Sequence, residues 1–193
     1  MKSWKNLKML GLALIMAMMS GCGKDDKDDD PTQDDVTITK KYYIKSKIDA
    51  EWKLNQTGAK NWCQVGNGLC YSNINGGFFD EVSIFILKEN HHFTEGNIPS
   101  LIGDTISFDQ DEDYYAYFSW GENGKIWSSL NTNASQKDSY LYIQNVEEDG
   151  SHSGYKCFKV TGTFKCMVGD LDQTITKPLT EGVFSIRVSE EDV

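Results

Sequence analysis

The chain lacks a long hydrophobic run, a basic cluster and the common catalytic signatures, and each absence removes a class of function. Its longest apolar stretch, Met9 to Met19, has 11 residues, well short of the roughly 20 that a membrane-spanning helix needs. Lys and Arg total 19 against 29 Asp and Glu, for a net charge of -10. No stretch gathers the cations that would neutralise a row of phosphates, which argues against nucleic acid and against a basic membrane-binding patch. HExxH, a Walker loop and Gly-x-Ser-x-Gly are missing, and Ser151-His152-Ser153 places histidine where a nucleophile elbow needs serine. Asp109, Asp111 and Asp113 begin like a calcium loop, but Tyr114 stands where glycine is required and Trp120 where a bidentate glutamate is required. His91 and His92 are adjacent and point apart on a strand. The expectation is a non-enzymatic chain with no metal and no cofactor.

What is present begins with a leader. Lys2, Lys5 and Lys8 precede the apolar run, and Ser20-Gly21-Cys22 follows it. An apolar core of this length behind a basic start is a secretory signal, and the small residues give a peptidase access to the bond before Cys22. A diacylated Cys22 would anchor the mature chain without a transmembrane segment. The next residues, Gly23 to Asp30, include Lys24, Asp25, Asp26, Asp28, Asp29 and Asp30. This string resembles the acidic export signal that follows the lipid cysteine in surface lipoproteins of the Bacteroidetes. The resemblance implies an outer-membrane lipoprotein facing the cell exterior. The alternative is a periplasmic face, with the string acting only as a self-repelling spacer.

The expected organisation is a signal peptide over 1–21, an acylated acidic tether over 22–39 and an antiparallel all-β domain over 40–193. Cleavage leaves 172 residues carrying a net charge of -13, enough chain for one domain with a substantial core. From Tyr42 to Asn55 apolar and polar residues alternate, which predicts one fourteen-residue strand with Ile44, Ile48, Trp52 and Leu54 inward. Further strands are predicted at Leu69 to Ile74, Asp80 to Lys88, Thr105 to Phe108, Tyr114 to Trp120 and Lys125 to Trp127, with Asn123-Gly124 as hairpin chemistry between the last two. Glu89 to Gly103 reads as a long loop. Ser139 to Glu147 alternates Leu141 and Ile143 against Tyr140 and Tyr142 and ends in a Glu148-Asp149-Gly150 turn. Tyr155 to Val168 puts Phe158, Val160, Phe164 and Cys166 on one face and Lys159, Thr161 and Lys165 on the other. Gly182 to Val188 returns with Phe184, Ile186 and Val188 inward. No segment after Cys22 has helical periodicity, and the expected architecture is a β-sandwich, with a lipocalin-like closed barrel as the alternative.

Val160-Thr-Gly-Thr-Phe164, Leu179-Thr-Glu-Gly-Val-Phe-Ser-Ile186 and Lys47-Ile-Asp-Ala-Glu-Trp52 are similar to the closing and opening strands of Bacteroidetes lipoprotein families. That resemblance implies an extracytoplasmic β protein and no particular reaction. Besides Cys22 the chain holds Cys63, Cys70, Cys157 and Cys166. Cys157 and Cys166 fall on one strand and cannot bridge, so a local disulfide would join Cys63 to Cys70; alternatively all four thiols are unpaired. Aromatic residues are abundant in turns and one hairpin, and Trp62, Tyr115, Tyr117 and Trp127 are the expected ligand-contacting rings. Planar rings beside Asn and Asp suit sugars, so the leading expectation is a surface module binding a glycan or another surface protein. A carrier of a small apolar ligand is the second reading and a hydrolase a distant third.

Overall fold

The computed structural model describes residues 36–58, 63–64, 68–74, 81–89 and 92–190. Eleven strands follow one another: β1 Tyr42–Ile48, β2 Glu51–Thr57, β3 Cys63–Gln64, β4 Gly68–Ile74, β5 Glu81–Lys88, β6 Thr105–Ile106, β7 Tyr114–Glu122, β8 Lys125–Ser128, β9 Tyr140–His152, β10 Tyr155–Asp170 and β11 Thr176–Ser189. Among the described residues a 3-10 turn, Ile98–Leu101, lies between β5 and β6. Among the described residues there is no α-helix, and no helix long and apolar enough to cross a membrane. The leader, Cys22, the Asp25–Asp30 string and Trp62 lie outside the described residues. Cys63 and Cys70 are described by their backbone alone, which sets them directly opposite each other on β3 and β4.

The strands hydrogen-bond in the order β2-β1-β11-β10-β8-β7-β5-β4-β3, with β9 on β10 and β6 on β9. The strand pairs are antiparallel. The corner lies at the end of β10, where Gly169 and Asp170 leave β9 behind and pair with Ser128 and Trp127 of β8. Gly169 is required there, because a Cβ would collide with the backbone carbonyl of Asn131. Two layers result, β2-β1-β11-β10-β9 and β8-β7-β5-β4-β3. Their inner faces meet at Phe118 of β7, whose ring lies 5.3 Å from that of Phe164 on β10, which lies 6.1 Å from Phe184 on β11. The all-β sandwich expected from alternation is therefore the fold. The barrel alternative is not, since the sheet is open and aromatic rings fill its interior.

Period-two alternation sets this core. Along β10, Phe158, Val160, Phe164, Cys166 and Val168 are buried while Lys159, Thr161, Thr163 and Lys165 are half-buried on the outer face. Two glycines adjust the fit, for Gly162 sits opposite Phe184 and Gly182 opposite Phe164. Each ring lies over its glycine, where a Cβ would meet ring atoms within 3 Å. Such aromatic cover replaces the packing a strand glycine forgoes.

Three boundaries differ from the sequence reading. The fourteen-residue opening strand is a hairpin, because Asp49 (φ 54°) and Ala50 (φ 66°) form a two-residue turn between β1 and β2. The turn reverses the parity, so Trp52 and Leu54 share the outer face with Lys45 and Lys47, and Asn55 is buried instead. Glu148-Asp149-Gly150 is not a turn. Strand β9 continues to His152, with Asp149 and Gly150 (φ 73°) bulging opposite Cys157, and the chain reverses at Ser153-Gly154. Strand β11 starts at Thr176 rather than at Gly182. The long loop after β5 also has a structural role, since Phe93, Ile98 and Leu101 insert into the core.

Candidate functional site

The outer face of the β2-β1-β11-β10-β9 layer carries a groove of about 460 Å³. Its residues come from five consecutive strands: Trp52 from β2, Lys45 from β1, Glu181 and Val183 from β11, Thr163 and Lys165 from β10 and Tyr140 from β9. Strand parity accounts for the set, because Lys45 pairs with Val183, Val183 with Thr163, and Lys165 with Tyr140. Four inter-strand spacings of about 4.8 Å separate the outermost strands by roughly 19 Å. Trp52 and Tyr140 stand at opposite ends of that span.

The groove is aromatic and cationic. Lys45 Nζ lies 4.3 Å and Lys47 Nζ 4.6 Å from the Trp52 ring centroid, and Lys165 Nζ lies 5.3 Å from that of Tyr140. Lys47 also pairs with Glu181 at 3.0 Å. Tyr140 is 36% exposed, and the next outward residue on its strand, Tyr142, is 37% exposed. Two large rings left open on one strand face mark a contact surface more than a core.

The rings expected from sequence to contact a ligand do not come together. Tyr115 and Tyr117 lie on the outer face of the other layer, where Tyr117 stacks on Phe85 with ring centroids 4.2 Å apart. Tyr115 walls a cleft of about 320 Å³ with Leu87, Lys88, Glu89 and the acidic loop from Gln110 to Asp113. Trp127 lines a separate cleft of about 190 Å³ with Ile126, Leu171 and Ile175, beneath Lys177 at 4.7 Å. Trp62 lies outside the described residues. Sequence reading missed Trp52 because the Asp49-Ala50 turn inverted its face. Tyr140 and Tyr142 were legible as outward rings, and that parity is the signal that identifies them.

A second polar cluster is structural. Arg187 is fully buried, its Nε 3.4 Å from Asp149 Oδ2 and its Nη2 donating to the Asp149 carbonyl at 3.1 Å. The Asp149 carboxylate also accepts from Lys41 Nζ and from the Tyr42 hydroxyl. Burial opposes ionisation of Asp149, but the hydrogen bonds from Lys41 and Tyr42 and the charges of Lys41 and Arg187 prevail and hold its carboxyl below the usual range. Cys157 and Cys166 are buried, and burial pushes the Cys166 thiol far up, away from thiolate chemistry. The Asp109, Asp111 and Asp113 carboxylates lie on an exposed loop. Among the described residues no group of three or more His, Cys, Asp or Glu side chains is placed to hold a metal ion.

Comparison of the chain with protein-family models, with curated proteins and with solved structures finds no match.

Proposed function

We propose that this protein is a lipid-anchored surface lipoprotein whose β-sandwich binds glycan chains without catalysing a reaction on them. The anchor and the outward placement rest on the Ser20-Gly21-Cys22 leader and on the acidic string after it. The observation that carries the binding reading is the pairing of Trp52 and Tyr140 at the two ends of one groove across five strands. Rings held on strands are rigid, so little conformational freedom is lost when a sugar stacks on them. The span exceeds a single pyranose ring, which favours an oligosaccharide over a monosaccharide. A carrier of a small apolar ligand would need a lined interior cavity, and that space is occupied by Phe118, Phe164 and Phe184.

The test is a glycan array probed with the full chain and with its Trp52→Ala and Tyr140→Ala variants. Retention of specific oligosaccharides by the native chain, lost in both variants, is the expected result. A native chain that retains no saccharide overturns the reading.

A further inference from the structure

We infer that the groove selects acidic saccharides, those whose rings carry carboxylate or sulfate, over neutral ones. This rests on the glycan-binding reading above and narrows it. The chain has a net charge of -10, yet the groove is locally positive. Glu181, the acidic side chain lining it, is paired with Lys47 at 3.0 Å. Lys45 and Lys165 have no carboxylate within ion-pair distance among the described residues, and both are held over rings, at 4.3 Å from Trp52 and 5.3 Å from Tyr140. Two uncompensated ammonium groups therefore sit beside the two stacking platforms.

The arrangement gives each lysine two positions. Without ligand, the ammonium rests on the ring's negative face, a weak contact at an exposed site. An anionic substituent offers it a charge-assisted hydrogen bond, which is stronger. Lys165 swinging to that anion uncovers Tyr140, and Lys45 swinging likewise leaves Trp52 with Lys47 alone, which Glu181 holds at 3.0 Å, so anion capture opens the rings to sugar stacking. A neutral oligosaccharide must displace the lysines from Trp52 and Tyr140 with nothing to receive them. Thr163, between the two platforms on β10, adds a hydroxyl that both donates and accepts.

Isothermal titration of the full chain decides the matter with four probes: a galacturonic acid hexamer, a sulfated galactan hexamer bearing no carboxylate, neutral cellohexaose and poly-glutamate. The expected result is that at least one acidic hexamer binds about tenfold or more tightly than cellohexaose, with an affinity that falls as salt rises. The tighter of the two acidic hexamers identifies the recognised group. Lys45→Gln and Lys165→Gln should each lower the affinity for that hexamer about tenfold without weakening the binding of cellohexaose, which then has one ammonium fewer to displace, and with denaturation midpoints equal to the native chain's. Equal binding of neutral and acidic hexamers overturns the charge selection and leaves glycan binding standing. Binding of poly-glutamate as tight as that of either hexamer overturns selection for a saccharide. No binding by any hexamer overturns both this inference and the reading it rests on.

Discussion

Arg187 Nε lies 3.4 Å from Asp149 Oδ2, and the arginine is wholly inaccessible to solvent. Position 187 alternates with the core residues Ile186 and Val188, so it belongs to the face opposite the main core. The bulge at Asp149-Gly150 re-aims the carboxylate toward it. Lys41 and Tyr42 complete the cluster, which ties the start of β1 to β9 and β11.

Removing one partner of a buried ion pair leaves the other charge uncompensated, at a cost of about 3 to 5 kcal/mol. Asp149→Ala is therefore expected to destabilise the domain by that order, read from denaturant midpoints. The acid dependence follows in sign. The folded carboxyl titrates below its ordinary value of 3.8, so its contribution is fully present above about pH 4 and is lost as pH falls through the folded pKa. Asp149→Asn should lose less stability than the native chain between pH 5 and pH 2.5. Parallel curves over that range would show that the pair contributes nothing to acid sensitivity.

Ala50 has φ of 66°, a left-handed conformation that costs a residue with a Cβ about 1 to 2 kcal/mol. Ala50→Gly is expected to raise stability, by about 0.5 to 1 kcal/mol once glycine's greater unfolded freedom is counted. Within a continuous strand the same change would lower stability. The sign of the midpoint shift thus separates a hairpin from a fourteen-residue strand.

Phe164 is 2% exposed and contacts rings of both layers, whereas Thr161 lies on the outer face of the same strand. Phe164→Ala should cost about 3 to 5 kcal/mol and Thr161→Ala about 1 or less. A one-residue shift of register would exchange the two. Equal midpoints for the variants would contradict the assignment of β10.

Cys22→Ala is expected to leave the full chain unacylated and in the soluble fraction, because that thiol would carry the lipid. Metabolic labelling with a palmitate analogue checks this, and a labelled variant would contradict the anchor.

The β strands were legible where burial obeys period two, as in β10, since the alternation of Phe158, Val160 and Phe164 with Lys159, Thr161 and Lys165 is itself the physical cause of the strand's orientation. Turns were legible where glycine marks a positive φ, as at Asn123-Gly124. Asp49-Ala50 carries no such mark, because the fold imposes a left-handed alanine that the local sequence does not favour. Glu148-Asp149-Gly150 has turn chemistry but serves as a bulge, and only pairing with β10 distinguishes the two. The groove was half legible. Tyr140 and Tyr142 read correctly as outward, while Trp52 was hidden by the reversed parity beyond an unmarked turn. The burial of Arg187 depends on the bulge and on Lys41 and Tyr42, long-range partners that alternation does not encode.

In the proposed function, saccharides are held by Trp52 and Tyr140 and not by the tyrosines of the other layer. Titrating an oligosaccharide retained on the array into the native chain, Trp52→Ala and Tyr117→Ala tests it most directly. An anchoring aromatic contributes about 2 kcal/mol or more, so Trp52→Ala should weaken binding more than about tenfold while Tyr117→Ala leaves it unchanged. Undiminished affinity in Trp52→Ala, or a loss confined to Tyr117→Ala, would contradict the assignment of the groove.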